Sequence, residues 1–145
     1  MVQSNSILAR RWMEEVWNKR LEKTIDEMFP AGSLGHSYGS PSMQGPQAFR
    51  QFRDAFVKAV PELRIEVEDT VEQGDNVAVR WRVHGVHRGQ ELGMPATGEA
   101  LDFWGITWLR FSNGQIAEGW DAWNQGAVMQ QLNVAAAKLK GLASA

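Results

Sequence analysis

Asp121 is the residue of this sequence best suited to acid–base chemistry. It lies between Trp120 and Trp123 in an apolar stretch. Burying an unpaired carboxylate in such surroundings is costly, so either its pKa rises or a hydrogen-bond donor reaches it. A carboxylate whose pKa moves toward neutrality is what a general acid or base requires. The alternative is a structural aspartate bonded to a nearby backbone N–H or to an arginine.

His36 is the second candidate for catalysis, because histidine can transfer a proton near neutral pH. It lies within residues 31–45, where the richness in Gly, Ser and Pro predicts a loop. Tyr38 follows two residues later, at what we expect to be the mouth of a pocket. The alternative for His36 is a loop side chain that simply faces solvent.

Several other classes of site lack support. The sequence contains no cysteine, which excludes disulfides, thiolate zinc sites and thiol nucleophiles. No serine has a histidine and an acid arranged as a triad, and no Gly-rich phosphate loop precedes a helix. His84 and His87 lie near the end of one predicted strand, on opposite faces. We therefore expect neither a metal nor an organic cofactor.

The elements that must position Asp121 follow from hydrophobic periodicity. A period of 3.6 predicts helices over residues 4–18, 21–28 and 46–60. Alternation then predicts strands over residues 63–72, 77–87, 100–111 and 115–123. Residues 88–99 form a long loop, Asn113-Gly114 is a strong hairpin turn, and a short C-terminal helix runs from 126 to 132 or as far as 139. Helices that precede a mostly antiparallel sheet predict an α+β fold.

Alternation also assigns faces to the last two strands. On the last strand it puts Asp121 and Trp123 on one face, with Ile116 and Glu118 on the other. The third strand is apolar on both faces, so both must be covered. The helices cover one face, and a second copy of the chain is the economical cover for the other. The outer residues of this predicted homodimer seam are Trp104, Trp108 and Trp120 beside Arg80 and Arg82.

Composition bounds the class of protein. A chain of 145 residues predicts one domain over 1–145 with a substantial core. A net charge of -2 gives no support for nucleic-acid binding. We expect a cytoplasmic protein without a membrane partner, because no signal-like N-terminus or long apolar run is present. Seven tryptophans against one tyrosine exceed the needs of a small core, and they indicate a pocket for flat apolar ligands in addition to an interface.

Runs over residues 45–50, 55–69, 74–81, 87–89, 93–98, 113–121 and 130–132 resemble SnoaL-like polyketide cyclases of the NTF2-like superfamily. The resemblance implies a conical barrel that encloses a pocket and dimerises through its outer sheet. It also implies that an aspartate on the last strand, here Asp121, catalyses an aldol ring closure without a cofactor. His36 matches a histidine that is common before the third helix. Thr107 stands where the cyclases carry an assisting histidine, and Asn124 replaces an acid common in relatives.

Three hypotheses follow. In the first, the chain is a cofactor-free enzyme, and Asp121 moves a proton next to the carbonyl of a hydrophobic, aromatic or polycyclic compound, as an aldol cyclase or isomerase does. His36 or Tyr38 would hydrogen-bond the developing oxyanion. The predicted substrate-binding residues are Tyr38, Trp81, Phe103, Thr107, Trp123, Met94 and Trp17. In the second, the chain binds flat apolar molecules without chemistry. In the third, it is an interaction module that uses its Trp-rich outer face.

Overall fold

The computed structural model describes residues 3–37 and 39–144 of the chain, with side chains described as far as Gly141. The helices are α1 (Asn5–Trp12), a π-helical segment (Met13–Asn18), α2 (Glu22–Met28), α3 (Gly45–Ala59) and α4 (Gln125–Ser144). The strands are β1 (Leu34–Ser37), β2 (Met43–Gln44), β3 (Arg64–Gln73), β4 (Asn76–Val86), β5 (Ala100–Ser112) and β6 (Gln115–Trp123).

The first helix begins and ends as its sequence predicts. Ser4 caps it by accepting the Ile7 N–H at 3.3 Å. The last turn widens into the π-helical segment, which ends at Asn18. The Asn18 amide bonds to both backbone groups of Ile65, accepting its N–H at 2.7 Å and donating to its carbonyl at 2.8 Å. This clamp holds the π-helical segment against edge strand β3 and brings Trp17 over the inner face of the sheet.

The six strands form one sheet in the order β2-β1-β6-β5-β4-β3. Every pairing is antiparallel except that of β1 with β6, which is parallel. The prediction of a loop over residues 31–45 is therefore wrong, because β1 and β2 lie within it. The two strands are four and two residues long. Segments so short show no readable alternation, and β6, the strand that β1 joins in parallel, lies some 80 positions away in the sequence.

The two faces of the sheet are well separated. The inner face buries Val77, Val79, Trp81 and Val83 of β4, as alternation predicts. The predicted face is wrong for Ile116 of β6, which is buried on the inner face although alternation predicts the outer face. Arg110 pairs with Glu118 but Phe111 pairs with Ile116, so Ala117 is the extra residue of a β-bulge. The bulge turns Ile116 inward and leaves Asp121 and Trp123 on the predicted face.

The connections also follow local chemistry. Asn113 and Gly114 have φ values of 52° and 76°, as the predicted Asn-Gly hairpin turn requires. Helix α4 is 20 residues long, so the prediction of a short C-terminal helix is wrong. Only residues 125–135 form an amphipathic stretch, which buries Val128, Leu132 and Ala135. The Ala-, Leu- and Lys-rich remainder continues the helix through intrinsic propensity, which leaves no hydrophobic period to read. No helix in the described part of the chain is both long and apolar enough to cross a membrane.

Candidate functional site

A cavity lies between the helices and the inner face of the sheet, and Asp121 is in its wall. The cavity has a volume of about 70 Å³. Nine of the 21 described residues that line it are phenylalanines or tryptophans. The helical side contributes Trp12, Trp17, Phe29, Phe49, Phe52 and Phe56. The sheet contributes Trp81, Phe103 and Trp123.

These nine rings form one connected set of contacts. On the sheet, Phe103 stacks on Trp123 with centroids 4.9 Å apart and meets Trp81 edge-on at 6.2 Å. Phe56 links Trp123 to Trp17, with centroid distances of 5.9 and 6.3 Å. Further contacts through Phe49 extend the set to Trp12 and Phe29. Such a wall is shaped to pack against an apolar or aromatic ligand.

Among the described residues, Asp121 makes one side-chain hydrogen bond. Its partner is Thr107, the directly opposite residue on β5, whose hydroxyl donates to Oδ1 at 2.6 Å. The indole N–H of Trp81 donates in turn to the Thr107 oxygen at 2.9 Å. An indole N–H can only donate, so the threonine proton is directed to the carboxylate. The chain of hydrogen bonds thus runs one way, from Trp81 through Thr107 to Asp121.

Gly105 makes this chain sterically possible. It lies opposite Trp81 in the β4–β5 register. A Cβ at this position would lie 2.6 Å from the Trp81 ring and 2.7 Å from the Ala122 carbonyl oxygen. Because glycine lacks that atom, the indole ring can lie across β5 and reach Thr107 two residues further along.

Burial raises the pKa of Asp121 to about 6, and the hydrogen bond from Thr107 only partly opposes that shift. The cause is desolvation, since the charged form loses water among apolar side chains. The residue as a whole remains partly accessible through the cavity. A carboxyl group with this pKa can accept or release a proton close to neutral pH.

The predicted substrate-binding residues fall into three groups. Trp17, Trp81, Phe103, Thr107 and Trp123 all line the cavity together with Asp121. Met94 is buried in the hydrophobic core, but it is not among the residues that line the cavity. Tyr38 lies outside the described residues.

His36 borders the cavity, but its ring is not brought to Asp121. Its Nε2 is 2.7 Å from the Glu118 carboxylate, and its Nδ1 is 2.8 Å from the Ser42 hydroxyl. The ring stacks on Trp120 at 5.7 Å, on the outer side of β6. The loop interpretation of residues 31–45 led to the expectation of a shared site. Since β1 is a strand, alternation turns His36 away from the face that Asp121 occupies.

Sequence reasoning missed most of the helical wall of the cavity. It assigned Phe49, Phe52 and Phe56 to the apolar face of a helix, and Trp12 likewise. The available signal was the concentration of aromatic residues on those faces, where aliphatic side chains are enough for packing alone. His84 and His87 are not brought together. His84 faces Glu66 and Asp102, whereas His87 is buried and its Nδ1 is 2.9 Å from the Thr97 hydroxyl.

The chain is similar to a known protein family and to several solved structures. The family model of the SnoaL-like polyketide cyclases matches residues 7–132. A candidate SnoaL-like polyketide cyclase from Jannaschia sp. CCS1 is 24% identical with a TM-score of 0.81, covering 89% of this chain and 94% of that one. A candidate polyketide cyclase from Acidithiobacillus ferrooxidans is 20% identical with a TM-score of 0.78, covering 94% and 99%.

A third structure, the candidate polyketide cyclase IdmH from Streptomyces antibioticus, is 21% identical with a TM-score of 0.78, covering 90% of this chain and 99% of that one. No curated protein matches the sequence of this chain. At these identities the structural likeness establishes the fold alone. It confirms the predicted α+β architecture of the NTF2-like type.

Proposed function

The chain belongs to the SnoaL-like polyketide cyclase family, and we propose that it is a cofactor-free acid–base enzyme for a hydrophobic, aromatic or polycyclic carbonyl compound. The observation that carries this proposal is the single carboxylate of Asp121, held by Thr107 in an aromatic cavity with a pKa raised to about 6. General acid–base catalysis is most effective when the pKa of the group lies near the working pH.

The direction of the hydrogen bonds assigns a role to each carboxylate oxygen. Oδ1 accepts the Thr107 proton, which leaves Oδ2 to act on a ligand. Oδ2 would take a proton from the carbon next to the carbonyl, and the C–H electron pair would move toward the carbonyl oxygen as an enolate. In a ring closure that enolate carbon attacks a second carbonyl of the same molecule, and Asp121 returns its proton to the new alkoxide.

The donor to the carbonyl oxygen is a separate part of the proposal. We propose Tyr38, which lies outside the described residues, as the hydrogen-bond donor to this oxygen, the role that the sequence predicts for it. We do not assign that role to His36, because Glu118 and Ser42 engage both of its ring nitrogens. We propose Trp81, Phe103 and Trp123 as the residues that hold the ring system of the substrate, since all three line the cavity.

Deuterium exchange tests the proton transfer without knowledge of the natural substrate. 2-Tetralone, an apolar bicyclic ketone with acidic α-hydrogens, is incubated with the protein in D₂O, and deuterium uptake is followed by mass spectrometry. We expect the wild type to accelerate exchange and Asp121→Asn to reduce the enzymatic rate by at least about 100-fold. Glu118→Gln, which likewise replaces a carboxylate by an amide but on the outer face of β6, is the matched control. Its exchange rate should stay within about threefold of the wild-type rate. A loss of less than about threefold in Asp121→Asn would rule out proton transfer by this residue as the main contribution to catalysis.

A second candidate function is binding without chemistry. The small number of titratable side chains in the cavity favours it, because Asp121 and His36 are the two titratable residues among the described lining residues. In that case 2-tetralone quenches tryptophan fluorescence with the same affinity in the wild type and in Asp121→Asn, and no deuterium is incorporated above the rate in buffer.

We also propose that the chain forms a homodimer through the outer face of the sheet. Trp104, Trp108 and Trp120 are 55%, 47% and 39% exposed there, which is unusual for side chains of this size. Neighbouring charges are paired within the chain, as Arg82 is with Asp102 at 2.7 Å. A second copy could therefore cover the tryptophans without burying unpaired charges.

A further inference from the structure

The charge of the cavity points to a class of ligand. Among the described residues that line it, no lysine or arginine is present, and Asp121 is the one acid. His36 is the other titratable residue, and its ring is bonded to Glu118 and Ser42. In the ionised form of Asp121, the cavity therefore carries a negative charge that no described lining side chain neutralises.

The aromatic wall adds to this negative character. The face of an aromatic ring is electron-rich, and cations bind over it when they lie within about 6 Å of the ring centroid. Nine rings line the cavity in one connected set. Edge-on contacts such as that between Phe56 and Trp123 use part of the ring surface for packing between rings. The remaining surface borders the same space as the carboxylate.

We propose that the ligand of this cavity is a hydrophobic organic cation, an alkylated or aryl-substituted ammonium whose charge is held between Asp121 and the tryptophan faces. The proposal rests on the proposed function only in taking this cavity as the ligand site. An alkylated ammonium suits it because its charge is spread over apolar groups and it loses little hydration on entering. Ion pairing inside also offsets the desolvation of the carboxylate.

A positively charged substrate would also fit the proposed proton transfer. When Asp121 removes a proton from carbon, negative charge develops on the carbonyl oxygen. No described lining side chain other than His36 could supply a positive charge to stabilise it. An ammonium group next to that carbonyl carries the stabilising charge on the substrate itself. The matching class is therefore an aromatic ketone bearing a cationic nitrogen close to the reacting carbon.

A pair of isosteric probes separates charge from shape. Phenyltrimethylammonium and tert-butylbenzene differ by the exchange of a charged nitrogen for a carbon. Their affinities at pH 7.5 are measured by tryptophan fluorescence and by calorimetry. We expect the wild type to bind the cation at least about tenfold more tightly than the neutral probe. Asp121→Asn should lose that preference while its affinity for tert-butylbenzene changes less than about threefold, which also shows that the cavity is intact.

Glu118→Gln is the control variant, and it should keep the preference of the wild type because Glu118 lies on the outer face. The pH dependence gives a second measurement. Affinity for the cation should fall as the pH drops below about 6, because protonation removes the charge of Asp121, while affinity for tert-butylbenzene stays level. The charged groups on neighbouring elements, His36, Glu118 and Arg110, lie on the outer side of the sheet, and Glu118→Gln controls for them.

Equal or tighter binding of tert-butylbenzene by the wild type would overturn the proposal, as would a cation preference that survives in Asp121→Asn. Failure of both probes to bind at millimolar concentration would overturn it as well. None of these results bears on deuterium exchange into 2-tetralone, which is neutral. The ligand class and the proton transfer can therefore fail independently.

Discussion

Two carboxylates on β6, Asp121 and Glu118, lie three residues apart and behave in opposite ways. Asp121 faces the aromatic cavity, where burial raises its pKa to about 6. Glu118 faces outward, where the hydrogen bond from His36, assisted by Arg110, holds its pKa below its usual value. An odd spacing on a strand places two side chains on opposite faces, so the face decides which acid stays ionised and which can exchange a proton.

The tryptophans of the two faces show the same contrast. The indole N–H groups of Trp81 and Trp108 each donate to a side-chain oxygen at 2.9 Å. Trp81 is buried and its acceptor, Thr107, passes the interaction on to Asp121. Trp108 is exposed, and it donates to Asn76, which does not line the cavity. Similar hydrogen bonds therefore help to build the candidate site on the inner face but connect only surface side chains on the outer face.

The largest expected effect is a gain in stability when the inner carboxylate is removed. A carboxyl pKa raised from 3.8 to about 6 means that the folded state prefers the protonated form. The stability from that preference is complete below about pH 4 and is lost as the pH rises through about 6, which amounts to about 3 kcal/mol. Asp121→Asn should therefore raise the free energy of unfolding by up to about 3 kcal/mol at pH 7.5 and change it little at pH 4.

Urea denaturation at the two pH values measures this effect. Glu118→Gln should act in the opposite direction at pH 7.5, with a slight loss, because a lowered pKa stabilises the folded state above the ordinary pKa of the group. A destabilised Asp121→Asn at pH 7.5 would mean that the ionised carboxylate has a stabilising partner within the protein.

The next effect concerns the outer face as a subunit interface. Trp108→Ala should raise the dissociation constant of the proposed homodimer by at least about 30-fold, since tryptophans buried at an interface dominate its binding energy. Analytical ultracentrifugation over a dilution series measures it. Ile7→Ala is the control, because Ile7 is 51% exposed on α1, in the helical layer that packs on the other side of the sheet. A wild type that sediments as a monomer at high micromolar concentration would remove the basis of the proposed dimer.

A third comparison replaces each indole by a phenyl ring. Trp81→Phe should lower the free energy of unfolding by about 1.5 kcal/mol, because it leaves a small void and removes the donor to Thr107. Trp108→Phe should cost less than about 0.5 kcal/mol, because solvent can satisfy Asn76. Chemical denaturation of the two variants at equal protein concentration measures the difference. Equal losses would show that the two hydrogen bonds contribute alike despite their burial.

The smallest effect is a shift in the titration of the inner acid. The Thr107 hydroxyl favours the charged form of Asp121, so Thr107→Val should raise the pKa of Asp121 by about one unit. Thr107→Ser keeps the hydroxyl and should leave the pKa near that of the wild type. Carbon-13 NMR of the aspartate carboxyl signals follows the titration in each protein. An unchanged pKa in Thr107→Val would mean that the hydroxyl does not donate to the carboxylate in solution.

Several features of this protein depend on local sequence alone. Alternation along β6 places Asp121 and Trp123 on one face, and the Asn113-Gly114 turn sets the hairpin that aligns β5 with β6. Each of these follows from backbone geometry within a few residues, so periodicity is enough to predict it. The family and the α+β class follow from the same local patterns taken in order.

Tertiary structure decided the rest. Ile116 faces inward because of a β-bulge at Ala117 that no local pattern predicts. The same bulge shifts the register by one residue, so that Thr107 lies opposite Asp121 and not opposite Trp120. His36 meets Glu118, 82 residues further along the chain, because β1 pairs in parallel with β6 and its alternation turns the ring outward. The aromatic side chains of the helical layer line the same cavity as Asp121 only after α1, the π-helical segment and α3 have packed over the sheet. Long-range packing also sets the pKa of Asp121, because desolvation depends on every side chain that surrounds the carboxylate, whatever its position in the sequence.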